Sequence, residues 1–299
     1  MNYGRIVEDS FKFSWRYKSL WVFGLLAGSG GGNFNLDFGQ DDMDAMDGMG
    51  EIGTMPQEIF QEYWHLILPF LAAIIVIGLL FFILHLICSP ALVDAINKIA
   101  RGGTYRFSDS YSRGIDFFLR KLGLTLIFIA AVGGVVLLGI LPIVALNIFG
   151  ILLMLPIFVA GFFFAITLYS LAERALVVRD TSIGNALDEG YVLMKQNFSK
   201  CLIMTMIFIG LGIGIGIVVL MVAGVFFFPI NMLVHSISES KIVIFVLALI
   251  LGLPISLVVG GFIGTFFHSL YTLFYFGLVD PNSPYAKTTT LQPPAPTLQ

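Results

Sequence analysis

The chain has 299 residues, 58% of them hydrophobic and 12% charged, with 29 Phe and a formal net charge of −3. Soluble domains carry roughly 25% charged residues, so this much apolar surface cannot be hidden from water and the bilayer is the solvent. No basic nucleic-acid footprint and no soluble catalytic domain is visible, and Cys88 and Cys201, each at the end of an apolar run, read as small apolar fillers rather than a disulfide framework.

The chain opens on an amphipathic helix. Arg5, Glu8, Asp9, Lys12 and Arg16 share one face, while Tyr3, Ile6, Val7, Phe11 and Trp15 take the other. The run "SLWVFGLLAG" (19–28) follows as the first, short candidate span. A cleaved leader over 1–29 fits poorly, because its charged portion would run to Lys18 and include Glu8 and Asp9.

Residues 29–62 carry Asp37, Asp41, Asp42, Asp44, Asp47, Glu51, Glu58 and Glu62 and no Lys or Arg. Within them "DDMDAMDGMG" (41–50) imitates a calcium loop. An EF-hand needs oxygen ligands at positions 1, 3 and 5, glycine at 6 and glutamate at 12. Starting at Asp42, those last three positions are Met46, Asp47 and Gly53; placing Gly48 at position 6 puts Met43 first and Thr54 last. Both registers fail, and the stretch reads as a solvated external loop. Met43, Met46 and Met49 would suit Cu(I) as soft ligands, but methionine also fills loops without a ligand role, so no metal or cofactor is expected.

Long uncharged runs follow at 63–88, 122–172, 201–238 and 242–279. A crossing takes roughly 20 residues, so the second run crosses twice, turning near "NIFG" (147–150), and the others cross once. Ahead of the third and fifth spans lie two more amphipathic segments. In "RFSDSYSRGIDFFLR", Arg106, Asp109, Arg113, Asp116 and Arg120 oppose Phe107, Tyr111, Ile115, Phe118 and Leu119, with Phe117 breaking the pattern. In "SIGNALDEGYVLMKQNF", Ile183, Leu187, Gly190, Tyr191, Met194 and Phe198 oppose Asn185, Asp188, Glu189, Lys195 and Gln196, with Val192 the exception. All three read as helices in the membrane interface, aromatic side down.

Even-numbered spans end alike, in "ALVD" (91–94), "ALVV" (175–178) and "GLVD" (277–280). The expected fold class is therefore an all-α membrane protein with six transmembrane helices, built as three repeats of interfacial amphipathic helix plus transmembrane hairpin (about 2–100, 104–180 and 181–280). Residues 1–280 form this membrane domain and 281–299 a disordered cytoplasmic tail. With six spans, all but Lys241 of the 16 Lys and Arg fall on one side, which puts both termini in the cytoplasm. Gly210, Gly212, Gly214 and Gly216, with Gly260 and Gly264, supply small-xxx-small pairs for helix packing. "GLGIGIG" is no nucleotide loop, since it lies inside a span with no strand before it. Pro142, Pro156, Pro229 and Pro254 are expected to kink or end helices.

Little chemistry is legible. His85 and His268 near the cytoplasmic ends of their spans read as interfacial hydrogen-bonding histidines rather than a metal or proton site, and Glu173 with Arg174 as an ion pair or lipid-headgroup contact at a span's exit. No catalytic, cofactor or metal residues are expected. The residues expected at the lipid interface are Arg5, Lys12, Trp15, Arg16, Arg106, Arg113, Arg120 and Lys195.

The strings "YGRIVEDSFKFSWRYKSLWVFGLLAG", followed by a glycine-rich loop, and "ALVVRDTSIGNALDEGYVLMKQN" resemble a group of uncharacterised polytopic prokaryotic membrane proteins. These are similar to the membrane domain that accompanies the catalytic domain in some bacterial glycerophosphodiester phosphodiesterases. The resemblance covers about residues 3–280 and consists of layout and loose motifs. It implies a prokaryotic plasma membrane and an accessory role, and no phosphodiesterase activity, because that catalytic domain has no counterpart here. The expectation is a non-enzymatic membrane component whose partners are membrane lipids and a membrane protein, with a permease for a lipid or other apolar substrate as the alternative.

Overall fold

The computed structural model describes residues 1–28, 57–146, 148–237, 241–280 and 283–286, with side chains omitted in parts of the helices. The acidic loop with its methionines, Asn147 and most of the tail lie outside the described residues, and so do the expectations that fall on them.

Among the described residues the secondary structure is helical. In chain order the helices are α1 (Tyr3–Arg16), α2 (Leu20–Gly28), α3 (Gln57–Ala100), α4 (Phe107–Asp116), α5 (Phe118–Leu146), α6 (Ile148–Val178), α7 (Ile183–Gln196), α8 (Phe198–Ile237) and α9 (Lys241–Val279). Five stretches are long and apolar enough to cross a bilayer: Leu68–Ala100, Phe118–Ile140, Phe149–Val178, Phe198–Val222 and Pro254–Val279. At 1.5 Å per residue, the nine residues of α2 rise only about 13 Å, under half of a hydrocarbon core near 30 Å. Pro142, Pro156 and Pro254 lie inside α5, α6 and α9 and end none of them.

The three amphipathic segments form where expected. Asn2 caps α1 by accepting from the Arg5 amide at 3.1 Å, and Ser182 caps α7 by accepting from the Asn185 amide at 3.4 Å. Each helix buries small residues four apart: Ser10 and Ser14 on α1, Ser110 and Gly114 on α4, Ala186 and Gly190 on α7. Ser10 and Ser14 can be buried because their hydroxyls donate to the carbonyls of Ile6 (2.6 Å) and Ser10 (2.9 Å). These faces seat α1 on α9, α4 on α3 and α7 on α6. The apolar stripe read from the sequence is thus divided. Met194 goes into the core, while Phe11, Trp15, Tyr111, Ile115, Tyr191 and Phe198 stay exposed.

Phe117 explains why it broke the amphipathic pattern. It is the joint between α4 and α5, fully buried, with the guanidiniums of Arg113 and Arg120 over its ring at 5.1 and 5.3 Å.

The packed core sits at one end of the bundle: residues 86–99 of α3, 117–124, 167–177 of α6, 186–205 and 265–275 of α9 supply most of its buried side chains, and α1 and α2 add Ile6, Ser10, Ser14, Leu20, Phe23 and Ala27. Toward the other end the described faces of α3, α5, α6 and α8 carry exposed Phe, Ile, Leu and Val. Asn2 donates its amide to the Tyr285 carbonyl at 3.1 Å, so both described ends of the chain lie at the packed end.

Gly24 and Gly264 mark the tightest helix crossing. A methyl on either would overlap the other helix's backbone, and Gly261 lies as close to Trp21. Thr265 Oγ1 donates across this seam to the Leu20 carbonyl at 3.0 Å. The glycines of "GLGIGIG" behave differently from expectation. Nothing lies within 4 Å of a Cβ placed at Gly210, Gly214 or Gly216, and Gly212 meets only Phe267 at 3.9 Å. Within this chain they do not mediate close packing, which falls to the α2–α9 crossing instead.

Candidate functional site

The side chains with chemical potential converge inside the packed end. Lys121, Glu173 and Arg174 have relative exposures of 0, 2 and 3%. Lys121 is the fourth residue of α5 and shares a face with the buried Phe117 and Leu124, so the helix carries its ammonium inward. Glu173 and Arg174 lie one turn before the end of α6. The carboxylate of Glu173 receives hydrogen bonds from Lys121 Nζ and, from α3, the hydroxyl of Ser89. Its second oxygen accepts from Arg174 Nη1 at 2.8 Å, and the same nitrogen donates to the Ser170 carbonyl at 3.0 Å.

Aromatic rings complete the enclosure. Lys121 Nζ lies 4.5 Å from the Tyr169 ring centroid, and the Arg174 guanidinium 5.4 Å from that of Tyr271 on α9. His268 lies on α9 one turn before Tyr271, the residue that meets Arg174. His85 on α3 places Nδ1 3.3 Å from the Leu26 carbonyl of α2, an ordinary hydrogen-bonding role of the kind expected. Arg174 Nε, His268 Nδ1 and Ser269 Oγ are buried without a hydrogen-bond partner among the described residues.

A second tier of ion pairs surrounds this cluster nearer the surface. Asp94 accepts from Ser110 at 2.9 Å and pairs with Lys98 at 2.7 Å, and Glu189 links Arg179 (3.0 Å) to the Tyr275 hydroxyl (2.7 Å). Asp180 joins Arg120 at 2.6 Å and Arg113 at 2.9 Å. Hydrogen bonds from Arg120 and Arg113 outweigh its slight burial and hold its carboxyl below the ordinary carboxylate range. It does so at φ +52°, in the left-handed region that Asp tolerates better than most residues.

The residues expected at the lipid interface are not gathered in one place. Arg5 pairs with Asp9 at 3.6 Å and Lys12 with Glu8 at 2.6 Å along α1. Trp15, 61% exposed, stacks with Phe11 and meets Phe262 edge-on. Arg16 lies over the Tyr17 ring at 5.9 Å. Arg106 and Lys195 are exposed, while Arg113 and Arg120 share Asp180.

Sequence reasoning pointed to Glu173 with Arg174 but not to Lys121, which enters it only as one of the cations that orient the chain. The missed signal was periodicity: Phe117, Lys121, Leu124 and Phe128 fall on one helical face, with a lysine in an otherwise apolar stripe. Among the described residues no three His, Cys, Asp or Glu side chains gather in a way that could hold a metal ion.

Long apolar helices closed at one end by small residues and a buried ionic cluster define a multi-pass helical membrane protein. Residues 13–284 match a family of unknown function (DUF7544), and the chain belongs to that family. No curated protein and no solved structure matches it.

Proposed function

We propose that this is a non-enzymatic, lipid-interacting component of a prokaryotic plasma membrane that organises lipid or seats a partner membrane protein, with both termini cytoplasmic. The observation that carries the reading is the ring of three amphipathic helices, each seated by small residues and each leaving aromatics uncovered beside cations. Aromatic rings and Lys or Arg side chains at that level suit the headgroup region. In this reading the chain is related to the membrane domain of the glycerophosphodiester phosphodiesterases.

Three repeats and six crossings form part of the proposal, and packing supports both. Each amphipathic helix rests on the returning helix of the unit before it, α4 on α3 and α7 on α6, and α1 closes the circle on α9. Alignment of the three exit motifs puts Ser89, Glu173 and Tyr275 at one equivalent position and His85, Tyr169 and Tyr271 at another. Four of them, Ser89, Glu173, Tyr169 and Tyr271, meet in the ionic cluster, while Tyr275 bonds Glu189 and His85 the Leu26 carbonyl. Parity supports the sixth crossing. The start of α1 and the ends of α3, α6 and α9 share one end of the bundle, which is the arrangement an even number of crossings would give.

Native mass spectrometry of protein released with minimal detergent tests the reading. Anionic lipid should be retained by the wild type and reduced in a Trp15→Ala, Arg16→Gln double variant. A protein that carries no lipid, and that partitions equally into anionic and zwitterionic nanodiscs, would count against it. A permease is the second reading, favoured by the buried polar side chains that α3, α5, α6, α8 and α9 bring together. Uptake of a lipid analogue into liposomes containing this protein alone would select it.

A further inference from the structure

We propose that the buried cluster is a binding site for an oxyanion of the phosphate or carboxylate class, held by Arg174 Nε–H, with His268 Nδ1, one turn before Tyr271 on α9, as a second donor. Charge and hydrogen bonding both point there. Among the described residues the cluster sets two cations, Lys121 and Arg174, against the single carboxylate of Glu173, and all three are buried. A buried charge without a counter-charge is costly enough that native structures pair it. The imbalance is one positive unit, which one anion removes.

The unpartnered atoms are of the matching kind. Arg174 spends Nη1 on Glu173 and the Ser170 carbonyl and keeps Nε–H free, in a side chain that is only 4% exposed. His268 Nδ1 is also free and offers a hydrogen in one tautomer. The guanidinium edge bearing Nε is suited to oxygen anions because its planar donors match their geometry. A cation would meet the opposite field.

The depth of the site suggests where the anion comes from. Lys121 is four residues inside α5 and Arg174 four residues short of the end of α6, about 6 Å along either helix from the interface. A free anion from the aqueous side and the phosphodiester of a lipid headgroup are both at hand, and they share the recognised chemistry. The site stands apart from the lipid-interface reading, since none of the exposed aromatics enters it.

The test is thermal unfolding of the purified full chain in a non-ionic detergent at constant ionic strength. Inorganic phosphate is titrated in one arm, short-chain phosphatidylglycerol in a second and uncharged diacylglycerol in a third. Wild type should show a saturable rise in Tm, and Arg174→Gln, whose Lys121 and Glu173 still pair, should bind at least about tenfold more weakly. Arg101→Gln, which removes an exposed cation in the turn after α3, should respond as wild type does. A response to both phosphate and phosphatidylglycerol assigns a free anion, and one to phosphatidylglycerol alone assigns a headgroup. No saturable response in wild type, an equal response to diacylglycerol, or an undiminished response in Arg174→Gln overturns the site. Should that variant fail to fold, Arg174→Lys keeps the charge but lacks Nε–H and must show the same weakening.

Discussion

Glu173→Gln keeps the size of the side chain and removes the one carboxylate between two buried cations. Lys121 and Arg174, each nine-tenths buried or more, would then stand without a counter-charge. Breaking a buried pair by removing one partner costs about 3–5 kcal/mol, because the charge left behind can neither return to water nor find a substitute. Lys121→Met should be milder, since Glu173 and Arg174 still neutralise each other at 2.8 Å and the new side chain fills the same space. At roughly 2–4 °C per kcal/mol for chains of 150–250 residues, Glu173→Gln should lower Tm by roughly 6–20 °C and Lys121→Met by about half that or less. Size-exclusion recovery after stepwise heating in detergent reads both. The reasoning fails if Glu173→Gln unfolds within about 2 °C of wild type, or if Lys121→Met does equal damage.

Gly264→Val should separate α2 from α9, because a Cβ there overlaps the Gly24 backbone and overpacking of this kind costs roughly 1–3 kcal/mol. Disulfide trapping between cysteines placed at Leu25 and Gly260, where a Cβ on the glycine lies 3.4 Å from Leu25 Cδ1, would follow the separation, whereas Gly214→Val, with nothing within 4 Å, should leave trapping and Tm unchanged. For Asp180 the folded carboxyl titrates below its unfolded value, so its contribution is present above about pH 4 and lost as pH falls through the folded pKa. The group is nearly half exposed and screened, so the loss on Asp180→Asn should stay under about 1 kcal/mol and shrink with added salt, which thermal scans at two salt concentrations check. Tyr285→Ala should cost roughly 2–4 kcal/mol by emptying the buried seat against Gly277 and loosening the tie between the ends of the chain, seen as faster hydrogen exchange in α1. Burial and the nearby Asp9 carboxylate push the Tyr285 phenol up to about 12, so this contribution should persist below pH 10 and fade only as pH climbs toward that value.

Helices and their order were legible because hydropathy and the 3.6-residue period act locally. One helix ends at Leu146 and the next begins at Ile148, at the predicted turn "NIFG". The amphipathic segments were legible too, but which part of each apolar stripe is buried was not. That depends on the neighbour. The small residues Ser10, Gly114 and Gly190 let helices approach closely, and in hydropathy terms they look like nothing. The ionic cluster was half legible, since a Lys at the start of a span is normally a cation facing the interface. Only the burial of Phe117 and Leu124 on the same face distinguishes Lys121 from its exposed neighbour Arg120. The "GLGIGIG" stripe misled for the opposite reason: small residues license close packing without requiring it.

Lipid tails are as apolar as Leu or Phe, so the exposed faces of α3, α5, α6 and α8 gain nothing by choosing one neighbouring helix over another. What fixes which helices adjoin must then come from contacts that lipid cannot imitate. Among the described residues these are hydrogen bonds, ion pairs and glycine crossings, and most of them lie at the packed end, with the approach of Gly139 to Phe158 between α5 and α6 outside it. Ser89, Lys121, Glu173, Arg174 and Tyr271 tie α3, α5, α6 and α9 together within one cluster, and the Gly24–Gly264 seam adds α2. A mutation there should shift several helices at once, whereas an apolar exchange on the outer faces should shift none. The same concentration of constraint explains why the amphipathic helices stay where they are. Each is clamped to a returning helix that the cluster already holds, so its exposed aromatics are presented at a depth set by the core rather than by the bilayer.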